Sequence, residues 1–195
     1  GRGTSYMQRR TSIYVYGTCA LAALTILAAS TLTVPNPRES VWAAVSFAAL
    51  GFLAQALGHA IGKEATGNIS FIPYLAIALL SPDIVAVAAV TGSVVIVELN
   101  ARREWIKGVF NVAQYALSIS LAILAYRLSG GIPFLEAPTK FSEFVSLPPS
   151  SFLPSGILMV VFLVVNNSAV SGVLAISERR AFSEIWRRTA LRAAG

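Results

Sequence analysis

Charged residues are missing from five long stretches of the chain and gathered into the short segments between them. Thr11 to Pro37, Ser40 to Gly62, Ala65 to Pro82, Gly108 to Tyr126 and Phe144 to Ser177 contain no Asp, Glu, Lys or Arg. Each is at least as long as the ~18 residues that mark a spanning helix. A water-soluble core would scatter charges through every helix and strand instead of confining them to islands. In lipid, backbone amides and carbonyls are satisfied only within helices or a closed barrel, and none of the five runs shows the period-2 alternation of a barrel strand. The pattern predicts an all-α fold, a polytopic transmembrane helical bundle.

The islands set the topology, because Lys and Arg beside spanning helices stay on the cytoplasmic side. Arg2, Arg9 and Arg10 place the amino terminus inside, and a first helix over Ser12 to Val34 leads out. Val34 to Ser40, with Pro35, Pro37, Arg38 and Glu39, reads as a short external turn. A second helix, Val41 to Ile61, returns to Gly62, Lys63 and Glu64. The next apolar stretch, Ile69 to Leu99, has ~31 residues, too long for one comfortable crossing at 1.5 Å per residue and short for two. Lys63 and the island of Arg102, Arg103 and Lys107 both belong inside, so an even number of crossings separates them. Ser81, Pro82 and Asp83 supply the break: Pro removes a backbone donor, and Asp or Ser can cap a new helix. Two short helices follow, Ser70 to Leu80 and Asp83 to Leu99. A fifth segment, Lys107 to Leu128, exits into an external loop from Ser129 to Pro154, whose Phe and Pro residues fit it to the membrane surface or to a cap. A sixth, Ser155 to Ser177, returns to Glu178, Arg179 and Arg180. The expectation is six segments with both termini cytoplasmic. Residues 1–180 form a single transmembrane domain, and 181–195 form a basic amphipathic tail with Phe182, Ile185, Trp186 and Leu191 against Arg187, Arg188 and Arg192.

Composition strengthens this picture. Of 195 residues, 55% are hydrophobic and 12% charged, about half the ~25% charged of ordinary soluble domains. The net charge of +6 does not point to nucleic acid, because the basic residues flank hydrophobic ends instead of lining a soluble face. Arg9 and Arg10 ahead of Ser12 to Val34 look like the start of a signal peptide. The apolar run is too long for one, however, and ends in prolines without a small-residue cleavage site, so it is retained as a helix. Cys19 lies inside that run, and a lone Cys allows no disulfide within the chain.

Candidate chemistry is sparse. One His and one Cys cannot build a His-rich or Cys-rich metal site, and no metal or cofactor is expected. Phosphate-binding, nucleophile-elbow and dinucleotide-binding motifs are absent, so no catalysis is expected of the chain. What remains are polar residues inside apolar segments, each of which needs a partner in lipid. Gln55 and His59 lie four apart on one face of the second helix. Asn111, Gln114, Tyr115 and Ser118 form a stripe on the fifth segment. Asn166, Asn167, Ser168 and Ser171 make a patch on the sixth. These groups read either as the lining of a small-molecule pocket between helices or as hydrogen-bonding glue within the bundle. His59 is a proton switch or ligand on one reading and a packing residue near a helix end on the other. Glu98 is expected to pair with Arg102, four residues on, and Asp83 to cap the fourth segment. Gly58 and Gly62 match the spacing that lets membrane helices approach closely.

The runs NISFIP (Asn68 to Pro73) and FNVAQYALS (Phe110 to Ser118), within Gly67 to Gly131, resemble the membrane-embedded amino-terminal region of bacterial HD-domain phosphohydrolases and diguanylate cyclases. The resemblance continues through ISERRAFSEIWRR, Ile176 to Arg188. It implies an input or anchoring module in the bacterial inner membrane, ahead of a cytoplasmic output domain. This chain holds neither the HD metal cluster nor a GGDEF motif, so it is either truncated after the basic tail or works alone or with a partner. Ile69 to Glu98 also resembles in pattern the substrate-binding S components of energy-coupling-factor vitamin transporters, which implies a small-molecule ligand between helices. The expected function is a sensory or anchoring module in signal transduction. The alternatives are a small-molecule-binding transport component and an accessory subunit of a larger membrane complex. The partners implied are the lipid bilayer, a small-molecule ligand, other membrane proteins or a cytoplasmic output domain.

Overall fold

Long apolar runs become helices where the surroundings offer no partner for a free backbone amide or carbonyl. The computed structural model describes the backbone of residues 2–32, 37–61, 71–101, 104–134 and 152–194, and side chains over 9–31, 41–54, 71–101, 104–134 and 152–189. Among the described residues there are seven helices and no strand: α1 (Arg2–Leu32), α2 (Pro37–Ile61), α3 (Phe71–Leu80), α4 (Ile84–Ala101), α5 (Trp105–Leu128), α6 (Leu153–Glu178) and α7 (Phe182–Ala194). Four stretches are long and apolar enough to cross a membrane, Arg9–Thr31, Ile84–Ala101, Trp105–Leu128 and Leu153–Glu178. Val41–Ala54 and Phe71–Leu80 are shorter apolar helices. The turn expected over Val34 to Ser40 is shorter than that, because α2 already begins at Pro37; proline suits a first helical position, where its missing donor is not needed. The Lys63 island, Arg102, Arg103 and most of the Ser129 to Pro154 loop lie outside the described residues.

The third apolar run is broken at Ser81 to Asp83. Asp83 Oδ1 accepts the backbone amides of Val85 at 2.8 Å and Ala86 at 3.3 Å, and its Oδ2 accepts the Ser81 hydroxyl at 2.6 Å. Two otherwise orphaned donors of the first turn of α4 are thereby satisfied, a cap that stabilises a helix by about 1 kcal/mol. On the other side the Ser81 amide donates to the Ile77 carbonyl at 2.9 Å and closes α3. The Pro82 carbonyl accepts Arg127 Nε, from the end of α5, at 3.1 Å. Helix α3, with its 10 residues, is ~15 Å long, about half of a ~30 Å hydrocarbon core.

Helix α5 is the axis of the bundle: 56% of its apolar window is buried, against 22% to 28% for the other three candidate spans. It packs on α1, α4 and α6, while α2 packs on α3 and α4. Two kinds of seam result. Against α1, small residues bring the backbones together, with Ala22 beside Ala113, Ala116 and Leu117. Among α3, α4, α5 and α6, large side chains interlock: Tyr74, Ile77, Ile119, Ile123, Leu158 and Phe162 are each almost wholly buried. The outer surface is also apolar, with Ile13, Leu24 and Leu27 on α1 and Trp42, Val45 and Leu53 on α2 all exposed. An outward belt of that kind suits lipid and would be a large apolar patch in water.

Candidate functional site

Inside an apolar bundle a hydroxyl can return its proton to a carbonyl of the preceding turn. Thr18 donates to Tyr14 O at 2.9 Å, Thr25 to Ala22 O at 3.0 Å, and the wholly buried Ser118 to Gln114 O at 2.7 Å. A side-chain amide cannot be satisfied so locally, since it carries two donors and an acceptor. Gln114, 3% exposed, donates from Nε2 to Oδ1 of Asn166 and so bridges α5 to α6. Asn111 donates to Glu98 Oε1 on α4 at 2.9 Å. Tyr115, next along the stripe, packs edge-on to Tyr74 at 5.7 Å and tilted on Phe162 at 6.3 Å. The stripe on α5 thus joins three neighbours: Asn111 to α4, Tyr115 to α3 and α6, Gln114 to α6.

Ser171 does not face that layer. Its hydroxyl meets Thr189 Oγ1 on α7 at 2.8 Å. Thr189 Oγ1 also lies 3.1 and 3.0 Å from Ile185 O and Trp186 O, and the two hydroxyls share one hydrogen bond, which either can donate. Asn167 and Ser168 are half-buried on α6. Gln55 and His59 belong to α2, with side chains outside the described residues. The partner expected for Glu98, Arg102, is likewise outside them; the carboxylate lies against Gly108 and accepts from Asn111.

Cross-helix contacts fix which residues share a depth. Tyr14 on α1 donates to Ala169 O on α6 at 3.1 Å and stands 6.2 Å from the Phe110 ring on α5. Tyr14, Phe110, Ala169 and the Ser171–Thr189 pair therefore form one layer near one end of the bundle. Arg9 and Arg10 precede this layer on α1, Lys107 precedes it on α5, and Arg179 and Arg180 follow it on α6; all are exposed. Lys107 pairs with Glu104 at 3.2 Å, and Arg180 reaches Glu178 at 3.8 Å and Glu184 at 3.4 Å. Bases outnumber acids in this layer and its margin. Arg127 and Pro82 lie together at the opposite end.

Three features were not expected from the sequence. Tyr74 and Tyr14 sit over glycines of neighbouring helices, Gly51 and Gly172, where a Cβ would overlap the ring. Arg127 caps the α3–α4 reversal through the Pro82 carbonyl. Thr91 Oγ1 and Ser120 Oγ are buried hydroxyls without a hydrogen-bond partner among the described residues. Glycine inside an apolar run and a basic residue at a helix end were the available signals for the first two; the third had none. Among the described residues no group of three or more His, Cys, Asp or Glu comes together to hold a metal ion. Comparison with protein-family models, with curated proteins and with solved structures gives no match.

Proposed function

We propose that this chain is a sensory or anchoring module of the bacterial inner membrane, without catalysis of its own, which holds a basic helix in a fixed pose at its cytoplasmic face. On this reading α1 to α6 are six membrane segments, α3 covers only the outer half of the bilayer, the Ser81–Asp83 reversal lies on the outer side, and both termini are inside. Charge bias supports it: of the 15 Lys and Arg, only Arg38, Arg127 and Lys140 fall outside the proposed cytoplasmic end.

The observation that carries the reading is the way α7 is held. Helix α6 ends with Arg179 in the left-handed region, φ 55°, a conformation that costs a non-glycine residue roughly 1–2 kcal/mol. The chain then turns back so that Ile185, 2% exposed, and Thr189 pack onto α6. Two residues from Ala169, and one from the Gly172 that seats Tyr14, Ser171 ties α7 to the layer that joins α1, α5 and α6. A change in how those three helices pack would therefore move α7, which is what an input module needs. The transport reading requires the amides to line a cavity, and Gln114 and Asn166 engage each other instead.

A fluorophore at position 183 tests the pose. In a Cys19→Ala, Ser183→Cys chain reconstituted in nanodiscs, the label's anisotropy decays with tumbling of the whole particle. Ile185→Ala, which removes a buried anchor of about 2 kcal/mol, adds a fast local component, and Gly172→Leu does the same from inside the bundle. Rapid local motion in the parent chain, unchanged by either substitution, would overturn the proposal.

A further inference from the structure

Basic residues at a bundle end are expected wherever a helix stops, but here a separate helix is folded back to carry more of them at the same depth. Thr189 bonds to Ser171 at 2.8 Å, two residues from the Ala169 carbonyl that accepts Tyr14. Tyr14 is one turn from Arg10, where α1 changes from charged to apolar. Arg187 and Arg188, neighbours of Thr189, are thus held beside the charge boundary of the bundle and not out beyond it, and both are exposed. Helix α6 has 26 residues, ~39 Å at 1.5 Å per residue, which exceeds a ~30 Å hydrocarbon core, and the exposed charges of Glu178, Arg179 and Arg180 put the excess at its last turn, in the headgroup layer. Exposed Phe182 and half-buried Trp186 flank the docked Ile185; aromatic side chains favour that same layer.

From this geometry we infer that α7 and the adjoining bundle end form a docking surface for anionic phospholipid headgroups, with Arg187, Arg188 and Arg179 facing the phosphates. The inference rests on the pose of α7 proposed above. Depth selects lipid over an acidic protein, because these guanidinium groups stand where the bilayer's own headgroups are. Charge selects anionic over zwitterionic lipid: Glu104, Glu178 and Glu184 already engage Lys107 and Arg180, and Arg179, Arg187 and Arg188 are attracted to a negative leaflet. A basic amphipathic helix lying in the interface is the recurring form of such a surface.

The full chain with Trp186 as its one tryptophan, after Trp42→Phe and Trp105→Phe, provides the test. In nanodiscs of equimolar phosphatidylcholine and phosphatidylglycerol, bromines are placed on the acyl chains of one lipid or of the other. Bromines on phosphatidylglycerol quench Trp186 roughly twofold more than bromines on phosphatidylcholine, R187Q/R188Q removes the difference, and R187K/R188K keeps it. Equal quenching by the two lipids in the parent chain, or a preference that survives R187Q/R188Q, would overturn the inference. Failure of the underlying pose is a separate result, because it appears as fast anisotropy decay at position 183 whatever the lipid.

Discussion

Gly51→Leu unfolds the α2–α3–α4 corner of the bundle, and Gly51→Ala alone lowers stability by about 2 kcal/mol, measured by reversible unfolding in mixed detergent. The glycine is buried on α2 with the Tyr74 ring lying directly over it, and any Cβ would enter the space of that ring. Tyr74 cannot swing away at low cost. It is wholly buried, its hydroxyl is 3.0 Å from Ser93 Oγ, and its ring meets Tyr115 edge-on. Overpacking of a well-filled site costs about 1–3 kcal/mol, and loss of the Tyr74–Ser93 hydrogen bond adds about 1 kcal/mol. Against these, alanine is intrinsically better than glycine in a helix by roughly 0.5–1 kcal/mol. The steric terms win. A Gly51→Ala, Tyr74→Leu double substitution should therefore lose less than the sum of its parts, and strict additivity would show that the ring and the glycine are not in contact. Gly172 against Tyr14 repeats the arrangement between α6 and α1.

The Gln114–Asn166 bridge gives the second large effect. Asn166→Leu leaves the buried Gln114 amide, and Gln114→Leu the half-buried Asn166 amide, without its partner, at a cost of about 1–3 kcal/mol in the first case and less in the second. Replacing both removes the need along with the bond, so the double leucine variant recovers a substantial part of that loss. The coupling across the cycle should be about 1 kcal/mol, in the range found for hydrogen bonds between membrane helices. If these amides instead served a ligand and contributed nothing to the bundle, either single substitution would leave unfolding unchanged.

Much of the architecture is legible in the chain because its signals are local. The Ser81–Pro82–Asp83 break with its capping carboxylate and the amphipathic tail each depend on a few adjacent residues and lie where expected; the starts of the first two helices do not, because α1 begins at Arg2 and not Ser12 and α2 at Pro37 and not Val41, so both run through charge islands that were expected to lie outside them. The polar stripe on α5 is legible as a stripe too. Which partner each residue meets is not, because partner choice depends on how every helix is rotated about its axis. In water that rotation is marked by a polar outer face; here the outer and inner faces are both apolar, and only small or polar residues separate them. The choice of Asn166 by Gln114, of Asn111 by Glu98 and of Thr189 by Ser171 therefore appears only with the packing in view. The same holds for the glycine seats of Tyr74 and Tyr14, since no one helix predicts a ring belonging to another.

The proposed topology is decided by the side of the membrane at which each connection lies. In a Cys19→Ala chain, single cysteines replacing Lys63, Glu104 and Ser129 are challenged with an impermeant maleimide on right-side-out vesicles. Ser129→Cys reacts at once, whereas Lys63→Cys and Glu104→Cys react only after the vesicles are opened, because in the proposed topology α3 and α4 go out and return. Labelling of Lys63→Cys and Glu104→Cys from opposite sides would make the interval between them a single crossing and would contradict the account.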